Sequence, residues 1–248
     1  MVSVIDYVDG DTVLHRLNPV AKLGLAAAVI ASTLLAQGLG ALLGLLALTL
    51  AAGQLAGAGG RLRALLKLLA PLALAMCLLQ TAFVRTGDPL LAWVTADGLA
   101  SGARAGLRLL GVALPLVLAL AVTRLGDLAN ACVEVLRVPY RYAFAFTTAL
   151  RFVPVFSREM NAIMEAQTAR GVAYDTKNHV RRLRLMLPLC VPLLVSSVAK
   201  TDASALAAEQ RGFYLRTRDS AYKRYPLRGR DAAALAAGCA LLAACALL

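Results

Sequence analysis

Residues 23–60 read LGLAAAVIASTLLAQGLGALLGLLALTLAAGQLAGAGG, and none of these side chains is charged. A helix needs about 20 mostly apolar residues to cross the hydrocarbon core of a bilayer. The stretch is therefore too long for one spanning helix, and Gln37-Gly38-Leu39-Gly40 near its middle predicts a tight turn. We expect two membrane helices near residues 21–37 and 40–57, each slightly short for the full core.

Three more runs without charge predict further membrane helices. They cover residues 68–84, 109–123 and 232–248. Extended to their polar flanks, they predict spanning helices near residues 64–84, 104–123 and 232–248. The chain should therefore cross the bilayer about five times.

Basic residues between these runs predict the orientation of the chain. Arg61, Arg63 and Lys67 lie between the second and third helices, and basic residues beside membrane spans mark the cytoplasmic face. A loop over residues 85–102, with Asp88 and Trp93, should then lie outside. Five spans in this orientation place the N-terminus inside and the C-terminus outside.

The overall composition agrees with a membrane protein and argues against nucleic-acid binding. Hydrophobic residues make up 60% of the chain, charged residues 16%, and the mean hydropathy is +0.70. The net charge is +12, which in a soluble protein would suggest a nucleic-acid partner. However, residues 124–230 alone hold 18 Lys or Arg against 8 Asp or Glu. Since this surplus lies beside predicted spans, topology accounts for it, and we expect no nucleic-acid partner.

Two long helices are predicted within the basic region, over residues 142–171 and 183–212. Apolar or small side chains recur at every fourth position in the first helix. The second begins apolar and becomes polar and alanine-rich after Lys200. This gradient favours helices that lie along the membrane surface, with a further membrane hairpin as the alternative. The recurring positions are Phe144, Thr148, Phe152, Phe156, Met160 and Met164.

The chain can accordingly be divided into three regions. Residues 1–124 form a membrane domain with four helices, residues 125–230 hold the two long helices, and residues 231–248 form the last spanning helix.

Both long helices end in an Arg-Gly pair, at residues 170–171 and 211–212. A glycine after a helix closes the last turn in the left-handed conformation, and an arginine there favours the negative end of the helix dipole. Two independent C-caps are the simplest interpretation. Because a guanidinium can bind a partner carboxylate through two hydrogen bonds, two such ends also predict a two-point contact with a partner.

Residues 10–23, GDTVLHRLNPVAKL, resemble the N-terminal segment of the transmembrane T components (EcfT) of energy-coupling factor transporters, which are ABC-type importers of vitamins and metal ions. Residues 150–154, LRFVP, with Glu159 and the two Arg-Gly ends extend the resemblance over nearly the whole chain. The chain departs from that family at three positions. Asn18 replaces the usual Asp, Val20 replaces Arg, and Gln210 stands where Ala is common.

The resemblance implies an all-α integral membrane protein with about five transmembrane helices plus long coupling helices on the cytoplasmic side. In that family, Ala-Arg-Gly motifs end the coupling helices and insert into grooves of two ABC ATPase subunits. It also implies a membrane-embedded S component that binds the vitamin or metal ion, and a place in the plasma membrane of a prokaryote. The matching motif residues here are Ala169, Arg170, Gly171, Gln210, Arg211 and Gly212.

The resulting hypothesis is a transport subunit without catalytic activity or a cofactor of its own. The sequence has no GxxxxGK[ST] phosphate-binding loop, so ATP should be bound by the partner subunits. A membrane-embedded enzyme is disfavoured because the two histidines, His15 and His179, form no HExxH motif. A stand-alone secondary transporter is disfavoured because the apolar runs contain no carboxylate. Uptake by the isolated chain without an ATPase would favour that last alternative.

Overall fold

The structure is a computed structural model that describes residues 10, 12, 14–84, 89–91, 94–174, 178–217 and 223–247. Asp11 and Val13 of the N-terminal motif lie outside the described residues, as do Asp88 and Trp93 of the expected outer loop.

Helices dominate the described residues. A short 3₁₀ turn, Phe213–Leu215, follows the seventh helix, and two short strands, β1 (Pro89–Leu91) and β2 (Val94–Thr95), pair antiparallel between the third and fourth helices. This architecture confirms the all-α membrane class. The helices are α1 (Pro19–Leu35), α2 (Leu39–Leu55), α3 (Gly59–Phe83), α4 (Ala96–Ala121), α5 (Leu125–Val135), α6 (Tyr140–Ala169), α7 (His179–Gln210) and α8 (Gly229–Leu247).

Local capping chemistry explains the ends of the first two helices. The Oδ1 of Asn18 accepts a hydrogen bond from the N–H of Val20 at 3.0 Å, and Pro19 occupies the first helical position. Helix α2 ends at Leu55 with Ala56 as its C-cap, and Gly57 follows with a φ of +72°, which closes the last turn. Each helix has 17 residues, so each spans about 26 Å, as the charge-free stretch predicted.

The predicted start of α4 was wrong by eight residues. The loop expected up to residue 102 ends at Thr95, which caps α4 by accepting a hydrogen bond from the N–H of Gly98. Its hydroxyl also donates to the carbonyl of Val84 at 3.2 Å, which ties the start of α4 to the end of α3. Helix α3 likewise begins earlier than predicted, at Gly59. The expected loop over residues 85–102 is helical from Ala96 onward, because Gly98 and Gly102 let this segment pack closely against α3.

Among the residues that the structure describes, four helical segments are long and apolar enough to cross a membrane, judged by length and composition. They are Gly59–Phe83, Asp97–Ala121, Leu183–Gln210 and Gly229–Leu247, and the shorter apolar helices are α1 and α2. The first half of α7 therefore has the composition of a membrane segment. Its residues Val191, Leu194 and Val195 are each more than 60% exposed within the chain.

Residues 10–137 and 225–247 belong to one compact unit, and residues 138–224 to a second. In the first unit, α4 packs against α1, α2 and α3. Leu62, Leu114 and Val122 are almost completely buried in its core. Helix α5 also belongs to this unit and was not predicted as a separate helix. The three-region division of the sequence by function stays a prediction.

The second unit consists of α6, α7 and the 3₁₀ turn. The ring of Phe213, just past the end of α7, lies 4.9 Å from that of Phe144 and 5.6 Å from that of Tyr140, both at the start of α6. Further along, Glu159 of α6 contacts Ser196 and Lys200 of α7. Along the contact, later residues of α6 therefore meet earlier residues of α7, and the two helices pack antiparallel.

Candidate functional site

The first Arg-Gly pair closes α6 with a Schellman motif. Ala169 is the last helical residue and Arg170 the C-cap, and Gly171 adopts a φ of +90°. The N–H of Gly171 donates to the carbonyl of Thr168 at 2.9 Å, and the N–H of Val172 donates to that of Gln167 at 3.1 Å. A residue with a Cβ would be strained at this φ, so Gly171 fixes the direction in which the chain leaves the helix.

The second pair closes α7 in a similar way. Gln210 is the last helical residue, Arg211 the C-cap, and Gly212 has a φ of +71°. The N–H of Gly212 donates to the carbonyl of Glu209 at 2.9 Å, and the chain continues into the 3₁₀ turn. The prediction of two glycine-closed helix ends is confirmed.

The side chains at both ends are available for a partner. Ala169, Arg170, Gln210 and Arg211 are exposed, and so is Gly171, while Gly212 is half-buried. Among the described residues, the structure records no hydrogen bond or ion pair to either guanidinium. Each arginine therefore presents unused hydrogen-bond donors beside the negative end of a helix dipole.

The structure does not bring the two Arg-Gly ends together. Arg211 lies next to Phe213, which packs on the start of α6, whereas Arg170 caps the far end of that helix. Helix α6 has 30 residues and therefore spans about 45 Å. The arginines lie at opposite ends of the α6–α7 pair and can contact two separate partner surfaces.

A polar cluster of Glu159, Ser196 and Lys200 joins the two helices between those ends. The ammonium of Lys200 and the hydroxyl of Ser196 both donate to the Glu159 carboxylate, and Lys200 also donates to the Ser196 hydroxyl at 2.7 Å. These hydrogen bonds, the one from Lys200 first, hold the pKa of Glu159 below its usual range. The sequence indicated Glu159 only through the family resemblance, and it gave no signal for Ser196.

Replacing Glu159 with glutamine should weaken the contact between α6 and α7 and remove the part of its stability that is lost in acid. The pKa of Glu159 is lower in the folded chain than in the unfolded chain. Its contribution to the stability of the α6–α7 pair is therefore complete above the unfolded pKa of about 4.3, and it is lost as the pH falls through the folded pKa. Hydrogen exchange of the amides around residues 159 and 200, corrected for intrinsic exchange rates, measures the local stability of the pair at each pH. In the Glu159→Gln variant we expect faster exchange at neutral pH and a smaller further increase in acid. Glu165→Gln, at an exposed position of the same helix, is the control and should behave as the unaltered chain.

The N-terminal motif lies in the first unit, where it anchors the start of α8. A carboxylate oxygen of Asp231 accepts from the backbone N–H of Asn18 at 2.7 Å, and its other oxygen accepts from the N–H of Arg228 at 2.8 Å. The side-chain amide of Asn18 donates to the carbonyl of Tyr225, also at 2.7 Å. Asn18 and Asp231 are 6% and 3% exposed. Asn18 thus keeps a structural role at a position where the resembling family usually has Asp.

Tyr225 extends this network to α5. Its hydroxyl donates to the carboxylate of Asp127 at 2.5 Å, and its backbone N–H donates to Glu134. Burial and the hydrogen bond to Asp127 raise the pKa of Tyr225 well above its usual range, so the phenol stays a neutral donor. The sequence did not indicate these contacts, because they join residues more than 90 positions apart.

Comparisons with known proteins agree with these motifs. Residues 10–221 match the family model CbiQ, described as "Cobalt transport protein". The chain is 33% identical over 221 residues to the energy-coupling factor transporter transmembrane protein EcfT of Lacticaseibacillus paracasei, covering 84% of this chain and 83% of that protein. It is 31% identical over 226 residues to the EcfT protein of Acidaminococcus fermentans, covering 85% and 82%. The chain therefore belongs to the CbiQ/EcfT family of multi-pass transmembrane components of bacterial energy-coupling factor transporters.

Proposed function

We propose that this chain is the coupling subunit of an importer in which two ABC ATPase subunits drive a membrane-embedded S component. In this scheme the ATPases bind the ends of α6 and α7, and their closure moves the α6–α7 pair. That motion is passed to the S component, which carries a vitamin or a metal ion. The chain itself performs no catalysis and binds no ATP.

The separation of the two Arg-Gly ends is the observation that carries this proposal. Two exposed arginines, each oriented by a glycine-closed helix end, lie at opposite ends of one antiparallel helix pair. A single small partner could not reach both across about 45 Å. Two copies of a similar subunit could each bind one end of the helix pair. In each contact, the guanidinium of Arg170 or Arg211 would form bidentate hydrogen bonds with a carboxylate in an acidic groove.

The family description names cobalt, and a metal ion is therefore one candidate cargo. The names of the two EcfT relatives specify no cargo. We propose that specificity resides in the S component and that this chain serves as the scaffold.

Reversing the charge of both arginines should separate the chain from its ATPases. Truncating one partner of a buried charge pair costs about 2–5 kcal/mol in a protein interface, and a reversed charge adds repulsion. We expect Arg170→Glu with Arg211→Glu to abolish co-purification of the ATPases and ATP-dependent uptake, while each single variant weakens one contact. Affinity purification from membranes followed by uptake into proteoliposomes measures both effects.

Arg151→Glu with Arg158→Glu provides the matched control, since both residues are exposed on α6 and lie eleven residues or more from either of its ends. The control makes the same change in net charge as the double variant and should keep the ATPases and the uptake. Normal complex yield and uptake in the double Arg170/Arg211 variant would refute the proposed coupling role.

A further inference from the structure

An apolar cavity of about 280 Å³, partly open to the outside, lies in the first unit between α1, α2, α4 and α8. Each of these four helices contributes residues from successive turns, such as Leu25 and Val29 of α1 or Leu118 and Val122 of α4. The cavity therefore runs along the helices, in the direction of the lipid chains around a spanning bundle.

Two polar side chains in the wall, Lys22 and Thr49, have their hydrogen bonds satisfied elsewhere. The ammonium of Lys22 donates to the carbonyls of His15 and Val122, both at 3.0 Å. The hydroxyl of Thr49 donates to the carbonyl of Leu46 at 2.8 Å. A buried water needs two to four polar partners, and this wall does not supply them. The cavity is therefore unsuited to water.

The size of the cavity argues against its being empty. A dry apolar cavity of about 150 Å³ inside a protein core takes up benzene, and this one is larger. The destabilisation caused by an unfilled cavity grows with its volume. A hydrocarbon occupant would restore the lost van der Waals contacts.

One end of the cavity adjoins a buried cluster of side chains, and the other lies at the start of α1. Leu42 and Leu45 of α2 form a buried cluster with Cys245 near the end of α8. Toward Lys22, the walls are formed instead by Ala52 of α2 and Ala237 of α8. The cavity thus extends along the helices from the Leu42 cluster, against which Leu241 of its wall packs, to the end of the bundle where Lys22 lies.

We propose that this cavity binds an acyl chain of a bilayer phospholipid as a structural element of the bundle. The bilayer surrounds a multi-pass protein with hydrocarbon chains, and the apolar wall, the volume and the direction of the cavity fit such a chain. The proposal rests on the membrane location of the chain and is independent of its proposed ATPase partners.

Photochemical labelling tests this proposal with the full-length chain in nanodiscs. The probe is a phosphatidylglycerol with a diazirine at the end of one acyl chain, and labelled peptides are located by mass spectrometry. Ala26→Phe places a large side chain in the cavity wall, whereas Ala27→Phe makes the same change at the exposed neighbouring position. We expect label at Val29 and Leu241 in the unaltered chain and in Ala27→Phe, and loss of that label in Ala26→Phe.

Label on the exposed residues Leu72 and Leu78 of α3 shows that each sample is inserted in the bilayer and reacts with the probe. Ala119→Leu fills the cavity from α4 and replaces Ala26→Phe if the phenylalanine prevents folding. Label on α3 without label at Val29 or Leu241 in the unaltered chain would overturn the proposal. Undiminished label at these two residues in the filled variant would overturn it as well.

Discussion

Replacing Gly102 with leucine is expected to prevent α3 and α4 from packing and to leave little folded protein in the membrane. A Cβ on Gly102 would lie 2.5 Å from the carbonyl oxygen of Cys77 and 2.6 Å from the Oγ1 of Thr81. The first of these atoms belongs to the backbone of α3 and cannot rotate away. The helices would have to separate along one of the most extensive contacts in the unit.

Neighbouring glycines make the same close approach one turn away on each side. A Cβ on Gly98 would lie 2.6 Å from the carbonyl oxygen of Val84, and one on Gly106 would lie 2.9 Å from that of Ala73. Small residues at four-residue spacing let membrane helices pack with their backbones in near contact. Gly102 is the middle of this stripe, so a side chain there separates the helices on both sides.

The balance of energies predicts destabilisation even for alanine at position 102. Replacing glycine with alanine in a helix ordinarily stabilises it by about 1 kcal/mol. Overpacking costs about 1–3 kcal/mol, and the cost is highest where the neighbour is backbone. We therefore expect Gly102→Ala to be moderately destabilised and Gly102→Leu to be severely so. Size-exclusion chromatography of a fluorescent fusion, with a thermal challenge, measures the folded fraction.

Gly44 of α2 is the matched control for this prediction. It also lies inside an apolar helix, but no heavy atom would lie within 4 Å of its Cβ. Gly44→Leu should therefore be as stable as the unaltered chain or slightly more so. Equal folded fractions for Gly102→Leu and Gly44→Leu would show that the glycine stripe does not hold α3 and α4 together.

The sequence predicted those features that depend on local chemistry. The charge-free stretches predicted α1, α2, α3, α4 and α8, because crossing a hydrocarbon core requires only length and apolar composition. The Arg-Gly pairs predicted the ends of α6 and α7, because a glycine in the left-handed conformation closes a helix from within its own last turn. The contact of these ends with ATPases stays a prediction, since it depends on chains other than this one.

The features that the sequence missed depend on partners distant in the chain. The start of α4 was expected to belong to a loop, because its packing against α3 cannot be read from the sequence. Ser196 and Lys200 have a structural role only through their hydrogen bonds to Glu159 on another helix. The carboxylate of Asp231 binds a residue 213 positions away, and in the sequence it looks like an ordinary acidic residue at a helix start. No local pattern carries such information.

After Gly102, Asp231 is the position where a substitution should reduce the stability of the fold most. Its carboxylate accepts hydrogen bonds from the N–H groups of Asn18 and Arg228, and it lies near the positive ends of the α1 and α8 dipoles. Lys22 is close enough to interact favourably with it. Asp231→Ala leaves two backbone donors without their acceptor in a buried site, and each such donor costs about 1–3 kcal/mol.

We expect Asp231→Ala to lose about 2–6 kcal/mol of stability, a large fraction of what a domain of ordinary stability has. Asp231→Asn keeps one acceptor oxygen and should fall between alanine and the unaltered chain. Asp202→Ala removes a carboxylate from an exposed position on α7 and is the control. Denaturant titration in mild detergent, followed by the release of α8 from α1 with probes on the two helices, measures the difference. If Asp231→Ala unfolds at the same denaturant concentration as Asp202→Ala, the N–H groups of Asn18 and Arg228 find other acceptors. The contact between α1 and α8 would then depend on their apolar faces alone.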